Sequence, residues 1–164
     1  MKFKHLILLF FTVILFSGCA AVISKETLSR VDKTVSFKEI KANPAKFNGV
    51  AVLLGGKIVG IENVQNRTLI EIFEMPLNSS NRPVNPDKSS GRFIAASSDF
   101  LDPAIYEEGR MITIAGVVEG TLKRPLGQTT YSYPLVSLVE EHLFKEKESY
   151  RPSLHLGVGV GGRF

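Results

Sequence analysis

The sequence predicts a small all-β domain of five strands, and three observations carry that expectation. Val50 to Ile61 and Thr68 to Glu74 are rich in β-branched and aliphatic residues and flank a turn containing Asn63 and Asn66. Arg110 to Thr121 alternates Met111, Thr113, Ala115 and Val117 against Ile112, Ile114, Gly116 and Val118, so both faces of that strand should be covered. Strands recur along the chain in the order strand, strand, strand, short helix, strand, strand, which is the order of an OB-type barrel, with another small β-barrel or a sandwich as the alternative.

Residues 1–18 read as an address rather than as structure. Met1-Lys2-Phe3-Lys4-His5 is a basic head, and Leu6 to Phe16 is apolar except at Thr12. That run is short for a permanent membrane span and has the form of a secretory signal. Leu15-Phe16-Ser17-Gly18-Cys19 then resembles a bacterial lipobox, where a cysteine is lipidated and becomes the new N-terminus. Cys19 is the only cysteine in the chain, so no internal disulfide is available and lipidation is its expected role. A buried methylene contributes about 0.8 kcal/mol, and one acyl chain anchors only marginally. The several chains of a lipobox cysteine would hold the protein on the membrane. Ala20, in place of an inner-membrane-retaining Asp, favours the outer membrane.

Residues 19–35 are expected to be a lipidated tether. Ser36-Phe37-Lys38-Glu39 has the form of a capping box, so a short helix should start there and break at Asn43-Pro44. A further turn over Ala45 to Phe47 should stop at Asn48-Gly49. Within the first strand, Gly55-Gly56 predicts a bulge or a sharp coil. Pro76 to Ser90 reads as a loop and Arg92 to Ala96 as a third strand. Asp102-Pro103 places an N-cap before a proline, which predicts a short helix ended by Gly109. Leu122 to Ser132 reads as a turn-rich connection and Tyr133 to Leu143 as the last strand, with a helical alternative from Glu140. The barrel domain is thus expected over residues 36–145, followed by a flexible tail over 146–164.

Charge excludes one large class. The whole chain carries +4, and the first 18 residues hold two lysines and no acid, so the remainder carries only +2. A strongly basic nucleic-acid surface is not expected, since the remaining aromatics do not interleave with a basic cluster. Catalytic signatures are also missing: there is no G-x-S-x-G elbow and no helical His pair around a Glu. His142 and His155 lack cysteine partners, so neither a metal nor a cofactor is expected. Gly157 to Gly162 spells G-x-G-x-x-G, but only Arg163 and Phe164 follow and no helix can receive a phosphate. Glu107-Glu108 and Glu140-Glu141 are read as surface pairs with diverging side chains. Glu71 stands out within the apolar run Leu69 to Phe73, because a buried carboxylate needs a partner. Its bland reading is a glutamate facing the edge of an amphipathic strand. A polar network of Glu71, Arg92, Asp102 and Arg110 is the expected partner set.

Several of these segments together resemble one family. They are the lipobox, Asn43-Pro44, Gly55-Gly56-Lys57-Ile58, Thr68-Leu69-Ile70-Glu71-Ile72, Pro76-Leu77, Arg82-Pro83, Gly91-Arg92, Phe100-Leu101-Asp102-Pro103, Tyr106 and Gly116. The chain is similar in them to the Slp family of outer-membrane lipoproteins, associated with carbon starvation and stationary phase. The resemblance implies an envelope protein linked to stress tolerance, anchored in the outer membrane by its N-terminal lipid, and brings no catalytic residues. The expected function is therefore non-enzymatic: a structural or interaction role at the periplasmic side of the outer membrane, with another envelope protein as partner. A second expectation is a periplasmic module that binds a glycan, peptidoglycan fragment or small amphiphile through the loop at Pro76 to Ser90.

Overall fold

The structure is a computed structural model that describes residues 21–145. Five strands form the domain: β1 (Ala51–Val64), β2 (Arg67–Glu74), β3 (Arg92–Ser97), β4 (Met111–Leu126) and β5 (Thr129–Leu143). Each pairs with two neighbours in the order β1-β2-β3-β5-β4, and β4 returns to β1 to close the barrel. Only β3 and β5 run parallel. This is the five-stranded barrel that the strand order predicts.

Closure depends on β1 changing partners along its length. Ala51 to Lys57 pairs with β4, whereas Gly56 to Val64 pairs with β2. The glycine pair marks this coil and leaves the pairing unbroken; the irregularity in register with β2 falls later, between Ile58 and Gly60. A Cβ at Gly56 would collide with the Phe73 carbonyl, so the crossing of β1 over β2 requires glycine there.

Alternation turns Val52, Leu54, Ile58, Ile70, Ile72, Phe93, Ile112 and Ile114 into one buried core. The helix that adds to this core is α2 (Phe37–Ala42), which precedes β1. Its expected capping box is present: Glu39 N–H donates to Ser36 Oγ at 3.3 Å, and Ser36 N–H donates to Glu39 Oε2 at 2.9 Å. Phe37 packs against Phe93 with ring centroids 5.6 Å apart, and Ile40 is fully buried. Burying each side chain contributes about 1.5–3 kcal/mol. A 3-10 turn over Pro44–Phe47 follows, and Gly49 leaves it at φ 82°.

Three segments differ from expectation. The stretch expected as a tether contains α1 (Lys25–Arg30), preceded by the fully buried Ile23. Ser24 caps α1 and binds Glu140 on β5, so tertiary contact orders a segment whose composition reads as linker. The helix expected between β3 and β4 is a single turn in which Ile105 and Tyr106 donate to the Asp102 carbonyl, both at 2.9 Å. It stops there because Gly109 N–H is taken by Ile58 on β1. Finally, Leu122 to Ser132 is strand. The β4–β5 hairpin stays paired out to Leu126 and Thr129, and its turn is only Gly127-Gln128, with Gly127 at φ 61°.

This long hairpin forms a second, smaller core on the outer face of β2 and β3. Leu122, Tyr131, Tyr133 and Leu135 from the arm cover Leu69, Ile94 and Ala96. An ion pair between Arg124 and Glu62, at 2.5 Å, ties the arm to β1. The loop from Pro76 to Ser90, the expected contact segment, is tied to the barrel while residues 85–88 stay exposed. Leu77 and Pro83 form a bridge, and the Thr113 hydroxyl donates to Asn81 O at 2.7 Å.

Candidate functional site

Glu71 points outward from β2, between Leu69 and Phe73, because inward positions are taken by Ile70 and Ile72. Since β2 lies between β1 and β3, Glu71 faces no open sheet edge. The parallel register that sets Ile94 beside Leu135 carries Arg92 alongside Tyr133. Glu71 Oε1 accepts from Arg92 Nη1 at 2.6 Å and from the Tyr133 hydroxyl at 3.2 Å. The hydrogen bond to Glu71 raises the Arg92 pKa, and burial, seconded by the Glu71 charge, raises that of Tyr133. The guanidinium therefore stays charged and the phenol stays protonated.

A second tier joins this cluster to α2. Arg92 N–H donates to the Tyr131 hydroxyl at 3.2 Å. Lys41 on α2 donates to Ser90 O at 2.5 Å, with its ammonium 5.5 Å from the Tyr131 ring centre. Ser90 N–H in turn donates to Glu74 Oε2 at 2.8 Å. Glu74 is buried, and burial pushes its carboxyl above the usual range against the smaller pull of Ser90 and Lys41. Gly91 sits among these groups at φ 135°, where a Cβ would strike both Lys41 Nζ and Tyr131 Oη. The cluster binds the loop's exit to α2 and the arm: Glu71 and Arg92 pair with each other, and Lys41 and Glu74 bond to the Ser90 backbone.

Asp102 and Arg110 lie elsewhere. Asp102 caps its own turn, accepting from Ala104 N–H at 2.9 Å. Arg110 donates to Ile105 O at 2.6 Å and to Phe144 O at 3.1 Å, closing the turn against the end of β5. The structure thus brings together Glu71 and Arg92 and leaves the other two outside their network. Lys41, Glu74, Tyr131 and Tyr133 join it without a sequence signal, because a parallel β3–β5 pairing and a helix from before the barrel assemble them. The acidic pairs also divide: Glu141 accepts from the Tyr106 hydroxyl at 2.8 Å, whereas Glu140 holds Ser24. Burial, then the bond to Glu141, pushes Tyr106 up to about 12.

Two of the barrel's open concavities lie at opposite kinds of surface, one polar and one apolar. A cleft of about 230 Å³ is lined by Asn63, Asn66, Arg67, Ser98, Asp99 and Phe100, the last 74% exposed. A groove of about 330 Å³ runs between α1 and the barrel, over Ala115, Val117 and Val139. Among the described residues, no group of three or more His, Cys, Asp or Glu is placed to hold a metal ion, and no helix is long and apolar enough to cross a membrane. Cys19 and the glycine-rich stretch at 157–162 lie outside the described residues.

Comparison with known proteins connects this barrel to the envelope. The chain is 34% identical over 153 residues to an uncharacterized protein of Haemophilus influenzae, covering 90% of this chain and 81% of that one. It is 29% identical over 125 residues to the uncharacterized lipoprotein YeaY of Escherichia coli, covering 76% of this chain and 64% of YeaY. Outer membrane protein Slp of Escherichia coli is 30% identical over 103 residues, which cover 63% of this chain and 54% of Slp. The match thus spans less than two thirds of both Escherichia coli relatives. The family model described as the outer membrane lipoprotein Slp family matches residues 16–158. On that match, and on the strand-rich barrel beneath it, the chain belongs to the Slp family of outer membrane lipoproteins.

Proposed function

We propose that the chain is lipidated at Cys19, faces the periplasm from the outer membrane, and acts without catalysis as a structural or interaction protein of the envelope under starvation or stress. The observation that carries this reading is the position of the chain's only cysteine, directly after a signal-like apolar run in a member of a lipoprotein family. The commitment of Glu71, Arg92, Glu74 and Lys41 to bonds within the fold supports a non-catalytic role for the central cluster. The test is palmitate labelling with membrane fractionation of the native chain and of Cys19→Ala. Label in the outer-membrane fraction that disappears in the variant is expected. A soluble, unlabelled native protein overturns the reading.

The open cleft favours a second reading, a binding module for a glycan or peptidoglycan fragment. An exposed aromatic ring beside two asparagine amides, Arg67 and Asp99 offers an apolar platform with hydrogen-bonding groups around it. Muropeptides titrated into the protein should shift the resonances of Asn66 and Phe100, and Phe100→Ala should abolish the shifts. Unperturbed spectra at millimolar muropeptide exclude this reading.

A further inference from the structure

The distance between the proposed anchor and the fold is short. Ile23 is fully buried, and Ser24 is fixed to β5: its N–H donates to Glu140 Oε1 at 2.7 Å and its hydroxyl to Glu140 Oε2 at 2.8 Å. Cys19 precedes Ile23 by four residues. Even fully extended, that stretch spans at most about 14 Å. The headgroup layer of one leaflet takes up about 5–8 Å of it. What remains is less than the thickness of a barrel, so the face around Ser24 cannot stand clear of the lipid surface.

That face has an apolar feature of its own. Pairing between β4 and β5 jumps from Gly116–Leu138 to Ala115–Glu140, which leaves Val139 without a partner. Val139 is 62% exposed, directly precedes the glutamate that holds Ser24, and borders the groove floored by Ala115 and Val117. Lys25, exposed at the start of α1, directly follows Ser24, the residue bonded to Glu140. An exposed aliphatic side chain beside the Ser24–Glu140 link, with an exposed lysine following Ser24, suits the boundary between acyl chains and phosphate headgroups.

We propose that the β5 face around Val139, together with the start of α1, is a membrane-docking surface that lays the barrel on the phospholipid leaflet holding its own anchor. This rests on lipidation of Cys19. The occupant is the bilayer surface; the short connection fixes which side of the barrel meets it. The cleft at Phe100 and the hairpin turn at Gly127-Gln128 then belong to other parts of the molecule, and Gln128 lies up to about 36 Å from Val139 along β5.

The test uses the full lipidated chain in phosphatidylethanolamine–phosphatidylglycerol vesicles. An environment-sensitive fluorophore is placed at Val139→Cys or at Gln128→Cys, with spin-labelled lipids as quenchers. Quenching several-fold greater at position 139 is expected, and inserting twenty Gly/Ser residues between Ala20 and Ala21 should bring the two positions to parity. Mass spectrometry of the N-terminal fragment reports lipidation separately. Lipidated protein with equal quenching at both positions overturns the docking surface and leaves the anchor standing. Unlipidated native protein overturns the anchor, and the docking surface with it. An apolar emission shift at position 139 without lipid quenching, lost when protein is diluted at constant quencher density, assigns the face to a second protein copy and also overturns the proposal.

Discussion

Ser24 and Glu140 stand 116 residues apart in the chain and meet through two hydrogen bonds, one to each oxygen of the carboxylate. The residue that caps α1 is thereby fixed to the last strand, and α1 becomes part of the barrel's surface. Hydrogen bonds from Thr27 and Ser24 hold the Glu140 pKa below its usual value. A carboxylate whose folded pKa is depressed stabilises the fold fully above its unfolded pKa, and that contribution is lost as pH falls through the folded value. Docking of α1 should therefore be intact at neutral pH and weaken below the ordinary carboxylate range. Glu140→Ala should cost about 1 kcal/mol. Amide exchange measured by mass spectrometry should quicken over residues 24–31 in the variant at pH 7 and leave β1 to β4 unchanged.

The pairing of Glu71 with Arg92 calls for a double-mutant cycle. Both side chains are partly exposed, at 25% and 33%, so solvent screens the charge term. A coupling of about 1 kcal/mol is expected between Glu71→Ala and Arg92→Ala in urea unfolding. Tyr133→Phe should lower that coupling only slightly, because its bond to Glu71 is the longer of the two. Strict additivity of the single losses would show that the ion pair contributes nothing.

Glu74 should have the opposite pH signature to Glu140. Its pKa is raised by burial, so the fold favours the neutral acid. The stability it contributes is full below the unfolded pKa and is lost as pH rises through the raised folded value. Glutamine copies the neutral form at every pH and keeps an oxygen for Ser90 N–H. Glu74→Gln should therefore melt higher than the native protein at pH 7 and alongside it near pH 4. Glu74→Ala, which leaves Ser90 N–H without an acceptor, should melt lower at both.

These three carboxylates show how much of the molecule the sequence makes legible. Strands are readable because their signal is local: alternation and β-branching place β1 to β3 and the start of β4, and the capping box places α2. Glu71 is conspicuous because a charge interrupts an apolar run. Glu74 and Glu140 look ordinary, since their surroundings are assembled from α1, α2 and the exit of the loop at Ser90. The arm is misleading for a related reason. Lys123, Arg124, Pro125, Gly127 and Gln128 have loop composition because most of the arm faces water. Its strand character comes from pairing with Thr129 to Tyr133 and from the apolar patch that Leu122 and Tyr133 cover. The helix expected after Asp102 fails in the other direction: a good cap and a proline start a turn, but the short stretch to Gly109 leaves little length for a helix without tertiary support.

The glycines provide a final prediction, because two with positive φ differ in backbone angle and in what surrounds them. Gly127, at φ 61°, has nothing within 4 Å of where a Cβ would stand. Gly127→Ala should cost about 1–2 kcal/mol, the penalty for a left-handed alanine. Gly91, at φ 135°, lies where L-residues rarely go, and a Cβ there meets Lys41 Nζ and Tyr131 Oη. Overpacking typically adds about 1–3 kcal/mol, so Gly91→Ala should cost about 2–5 kcal/mol in denaturant unfolding. Tyr131→Phe in the Gly91→Ala background removes one colliding oxygen and should recover part of the loss. The same Tyr131→Phe change alone should be destabilising, because Arg92 N–H then loses its acceptor. That reversal of sign is the signature of a collision at residue 91, and backbone strain by itself would not produce it.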